Sequence, residues 1–118
     1  MTSTFDEYRF ADATITKLVI EDTVARMTVR NWRDEIDVLV FDDVAGIESF
    51  SFLNVDLSHG EDLRDDVFLQ RCCAAGEEQA SEFHCFQLFS AWSESPILKI
   101  VARSSKVFTL NVDPSAST

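Results

Sequence analysis

Apolar and polar residues alternate with a period of two along much of this chain, the spacing of half-buried β-strands. The clearest case is Thr23 to Arg30, where Ala25, Met27 and Val29 alternate with Arg26, Thr28 and Arg30. Thr14 to Ile20 before it is rich in β-branched residues, which suit a pleated surface. The polar Glu21-Asp22 break between the two runs predicts a hairpin. Glu35 to Phe41 places Leu39 and Phe41 on one face with Asp37, and Ile36, Val38 and Val40 on the other. Ile47 to Leu53 sets Phe50 and Phe52 against Ser49 and Ser51. These four runs predict an antiparallel meander.

Val67 to Ala74 reads as a fifth strand, ended by Ala75-Gly76-Glu77-Glu78. Glu82 to Trp92 is apolar on both faces, as an interior strand covered from two directions would be. Its aromatic set, Phe83, Phe86, Phe89 and Trp92, reads as doubly packed core. Ile97 to Ala102 and Lys106 to Val112 supply two closing strands joined by Arg103-Ser104-Ser105. Asn54 to Asp66 differs in kind, being acidic and lacking an apolar stripe. It predicts an exposed loop with one helical turn, capped by Ser58 with Glu61 three places on. The fold class expected is all-β, an antiparallel β-sandwich or small closed barrel of about eight strands with little helix. Residues 1–118 form a single all-β domain, with 1–12 and 113–118 peripheral or frayed.

Charge narrows the partners. Ten Lys+Arg against 21 Asp+Glu give a formal −11. Phosphate backbones and anionic lipid need cationic side chains, so neither nucleic acid nor a membrane surface is an expected partner. The field favours cationic protein surfaces instead, although negative charge also serves plain solubility. Cys72, Cys73 and Cys85 are odd in number, which argues against a complete disulfide framework and for a reducing, cytoplasmic setting. The first residues carry Asp6, Glu7 and Arg9 and no apolar run of a secretory signal.

Little catalytic chemistry is legible. Gly46, Gly60 and Gly76 stand in separate turns, not in a phosphate-cradling loop. Cys72, Cys73, His84 and Cys85 lack zinc-ligand spacing, and the Asp56–Asp66 stretch lacks an EF-hand pattern. His59 and His84 are the only histidines, and the sequence cannot place either in space beside Cys85 or a serine. No catalytic residue, metal ligand or cofactor is therefore expected. A histidine bonded to a cysteine or a carboxylate cluster in a concave site would point instead to a hydrolase-type enzyme. A sizeable apolar cavity behind Phe86 and Trp92 would point to a small-ligand-binding β domain.

Asp12-Ala13-Thr14-Ile15, Phe41-Asp42-Asp43-Val44, and Trp92 followed by Pro96-Ile97-Leu98-Lys99-Ile100 give the chain a family likeness. It resembles small acidic bacterial all-β proteins of unknown function, some of which neighbour toxins as immunity proteins. The likeness spans most of the chain, and Ala11 stands where such proteins often carry a histidine. The likeness is to an immunity-type protein; the −11 charge, concentrated at Asp42-Asp43 and from Asp56 to Asp66, adds the expectation of a non-enzymatic protein-binding domain whose partner, if a toxin, is basic. The expected partner-binding residues are Asp42, Asp43, Asp56, Glu61, Asp62, Asp65 and Asp66.

Overall fold

The β-branched and alternating runs of the first half build one sheet. A computed structural model describes residues 2–3 and 5–109. Strand β1 (Thr2–Ser3) precedes a 3-10 turn at Phe5–Glu7; β2 (Thr14–Glu21), β3 (Val24–Arg30) and β4 (Ile36–Asp42) follow. Then come β5 (Gly46–Ser49), β6 (Leu57–Leu63), helix α1 (Val67–Ala75), a 3-10 turn at Ala80–Glu82, β7 (His84–Ser90), β8 (Pro96–Ala102) and β9 (Ser104–Thr109). One antiparallel sheet runs β1-β9-β4-β3-β2 and the other β5-β8-β7-β6. The protein is thus mostly β, in two antiparallel sheets, and they do not close into a barrel.

The alternation decides what each sheet buries. Ala25, Met27, Val29, Leu39 and Phe41 from the first sheet meet Phe86, Leu88, Leu98 and Ile100 from the second in one core. Strand β7 is covered from both directions, as its two apolar faces predict. Its other face, with Val101 of β8, packs against Leu69 and Cys73 of α1 through Cys85. Chain crossings between the sheets occur twice at one end, from β4 to β5 and from β8 to β9 through Arg103. The predicted meander therefore covers only β2, β3 and β4, because β5 pairs with β8.

Four further expectations are corrected. Val67–Ala75 is a helix, not a strand: Phe68, Leu69, Cys72 and Cys73 recur at helical spacing and make one apolar stripe. The Asp66 carboxylate accepts the Phe68 N–H at 2.8 Å and starts it. Residues 57–63 are strand β6, not an exposed loop; Gly60 leaves room for the Phe5 and Phe10 rings, which a Cβ would approach within 2.9 Å. Residues 5–10 are not peripheral, since both of those rings are core. Strand β5 stops at Ser49, and left-handed Ser51 turns the chain out, leaving Phe50 exposed. Residues 110–112 and the tail 113–118 lie outside the described residues.

Candidate functional site

The seven acids chosen from sequence do not form one cluster. Asp42 and Asp43 stand at the crossing end, where Asp42 accepts a hydrogen bond from the Ser104 hydroxyl at 3.4 Å. Asp56 lies at the opposite end, its carbonyl accepting the Ala91 N–H at 2.9 Å. Glu61 and Asp65 are exposed on or just after β6. Asp62 and Asp66 are half-buried, and their carboxylates are engaged by partners within the chain. Asp66 caps α1, accepts Gln87 Nε2 at 3.0 Å and pairs with Lys99 Nζ at 3.2 Å. Its partial burial alone would raise its pKa. The Lys99 ammonium and the Phe68 amide outweigh that and hold the carboxyl below its ordinary value.

At the crossing end, Arg103 is a hub. Its guanidinium meets Glu82 at 2.9 Å, Glu78 at 3.1 Å and Asp43 at 3.6 Å, and lies 4.9 Å from the Phe83 ring centroid. This ties the β4–β5 corner to the end of α1 and to the following 3-10 turn. A groove of about 1000 Å³ opens beside it, lined by Val44, Phe68, Arg71, Cys72, Glu78 and Arg103. It does not lie behind Phe86 and Trp92, where the cavity of a small-ligand carrier would have to open. Burial pushes the Cys72 thiol up, so no activated thiolate faces this groove.

The same end holds a smaller cleft of about 280 Å³ between the sheets, lined by Phe5, Asp62, His84, Phe86, Ser104 and Ser105 among others. Here β6 and β7 bring together two residues far apart in sequence. His84 Nδ1 lies 2.8 Å and 2.9 Å from the two Asp62 carboxylate oxygens. An ionised carboxylate can only accept, so Nδ1 carries the proton and donates it. In the neutral ring that leaves Nε2 as an acceptor, and no group among the described residues hydrogen-bonds it. The ring stacks on Phe86 at 5.2 Å between centroids and 8° between planes. His59 differs, lying flat on Phe89 and 3.7 Å from Glu61 at the surface. Among the described residues, no three His, Cys, Asp or Glu side chains gather as a metal-binding set.

The far end is apolar where the sequence suggested core. Trp92 follows β7 and is 86% exposed, so it is not part of the doubly packed aromatic set. Phe50 and Leu53, on the loop after β5, are 61% and 50% exposed. The Phe50 N–H donates to the Ile97 carbonyl at 2.8 Å, which fixes that loop beside the start of β8. Loops 50–56 and 91–95 therefore form one end surface.

Comparison of the chain with protein-family models, with curated proteins and with solved structures gives no match. No helix among the described residues is long and apolar enough to cross a membrane.

Proposed function

We propose that this chain is a non-enzymatic protein-binding domain, a β-sandwich scaffold whose partner is a basic protein such as a toxin. The observation that supports the reading is the distribution of charge. The chain carries a formal −11, and residues 34–63 contain no Lys or Arg at all. Asp56, Glu61 and Asp65 keep their carboxylates exposed within or beside that span. Such a field speeds encounter with a cationic surface and is screened beyond about 8 Å at physiological ionic strength. The first partners to test are basic proteins encoded beside its gene. Co-expression should relieve the toxicity of one of them, and association should slow steeply with added salt. A partner whose association rate is indifferent to salt would overturn the reading.

A second reading rests on His84. A histidine held by a carboxylate in a cleft, with its other nitrogen unengaged, has the arrangement of a general base. Hydrolysis of p-nitrophenyl acetate faster than by free imidazole, and lost in His84→Gln, would support it. A rate no greater than that of imidazole would sink it.

A further inference from the structure

The proposed binding role leaves open which face makes the contact, and the acids alone do not choose between the two ends. Trp32 and Trp92 do. Trp32, itself 45% exposed, is covered by cations from its own chain: the Arg9 and Arg33 guanidinium carbons lie 4.3 Å and 4.6 Å from its ring centroid. Trp92 is nearly twice as exposed and has no such cation over it among the described residues. An indole face is the strongest aromatic site for a guanidinium. Large aromatics, with Arg on the partner, also dominate the centres of protein interfaces.

Its surroundings match that role. Phe50 and Leu53 stand out at the same end and give apolar area around a central anchor. Asp56 and Glu94 border them, and neither 34–63 nor 91–98 contains a Lys or Arg; the cations at this end, Arg9, Arg30 and Arg33, are engaged within the chain by Trp32 and Asp34. The surface is held before any partner arrives. The Ser90 hydroxyl accepts the Trp92 N–H at 3.3 Å, the Asp56 carbonyl accepts the Ala91 N–H at 2.9 Å, and the Ile15 carbonyl accepts the Asn54 N–H at 2.8 Å. Preordered loops lose less entropy on binding. A second copy of the chain would bring its own −11 against this acidic rim, and anionic lipid would be repelled by it.

We infer that the end formed by loops 50–56 and 91–95 is the docking face, and that it takes a protein surface presenting arginine side chains, one of them stacked on Trp92. This rests on the basic-partner reading, and the test separates the two. The probes are deca-arginine and deca-lysine peptides at low salt. Trp32→Phe leaves Trp92 as the single fluorescent reporter. Deca-arginine should change Trp92 emission and bind more tightly than deca-lysine. Trp92→Ala, followed by calorimetry, should weaken deca-arginine roughly tenfold, within the range of a desolvated cation–π contact. Unfolding of that variant should match the parent, because the side chain is exposed. If deca-arginine binds Trp92→Ala unchanged and loses affinity only when Glu61 and Asp65, which lie outside these loops, become amides, the docking face is wrong and the basic-partner reading stands. Should neither peptide bind the parent chain, both fail. A Trp92-dependent dimer in sedimentation, or Trp92-dependent capture by phosphatidylserine vesicles, would also overturn the inference.

Discussion

Cys72 Sγ occupies the space that a side chain at Gly46 would need, for a Cβ built there would lie 2.3 Å from it. Helix α1 thus presses on β5 through a contact that glycine alone leaves open. Gly46→Ala should destabilise the fold by about 1–3 kcal/mol, the usual cost of overpacking. Backbone strain is not the cause, because no glycine of the described residues has positive φ. Cys72→Ala should restore most of the loss, since the remaining Cys72 Cβ sits at an ordinary 3.5 Å. A double-mutant cycle in urea is the check, and strict additivity would show that the contact is not the source.

Asp66 joins three elements, so its removal should cost more than a surface carboxylate. Asp66→Ala loses the cap, the Gln87 bond and the Lys99 pair, and should destabilise by about 2–4 kcal/mol. Asp66→Asn keeps a competent cap and should cost less. The carboxyl's pKa is lowered in the folded state. Its contribution is therefore complete above the unfolded value of about 3.9 and is lost as pH falls through the lower folded one. Unfolding curves of parent and Asp66→Asn should converge in strong acid and diverge at neutrality. A gap that persists in strong acid would mean that the charge was not the stabilising feature.

The cysteines give a kinetic prediction. All three are free; Cys73 and Cys85 are buried, and burial pushes the Cys85 thiol up to about 11. Thiolate is the reactive form, so both should resist an aromatic disulfide reagent at pH 8 in the folded protein. Cys72 alone, half-buried beside the groove, should react before unfolding, and slowly. Reductant should leave the thermal midpoint unchanged. Two or more fast thiol equivalents in the native protein would contradict the packing of α1 on β7 and β8.

What the sequence discloses depends on whether each element carries its own apolar signal. Strand β3 does: Ala25, Met27 and Val29 are all buried, as alternation requires. Strand β6 does not, because its inward positions include Gly60, filled by rings of Phe5 and Phe10, and Asp62, paired with His84. With β6 read as a loop, the Asp62–His84 pair could not be foreseen, for it exists only through register with β7. Helix α1 did leave a signal in Asp66, Phe68, Leu69, Cys72, Cys73 and Gly76, which fits a cap, a stripe at helical spacing and a stop. Val67 and Phe68 favour strands and hid it. Exchanging Asp62, Asp65 and Asp66 together would consequently damage the fold; Asp56, Glu61 and Asp65 are the exchange that probes charge alone.

Asp37 is the one carboxylate among the buried residues described, and it yields the sharpest stability test. It is 3% exposed, on the same face of β4 as Leu39 and Phe41. Its Oδ2 accepts the Tyr8 hydroxyl and, at 2.9 Å, Asn31 Nδ2, whereas Oδ1 has no partner among the described residues. Burial raises the Tyr8 pKa, and the Asp37 carboxylate adds to that, so the phenol stays protonated and remains a donor. Tyr8→Phe removes that donor and leaves a buried acceptor less satisfied, which should cost about 1.5–3 kcal/mol. Replacing both partners by apolar groups removes the desolvation penalty together with the bond. Asp37→Leu combined with Tyr8→Phe should therefore be markedly more stable than the sum of the two single changes. Urea unfolding of the four proteins at neutral pH decides the matter. Additive losses would show that Tyr8 and Asp37 stabilise the fold independently.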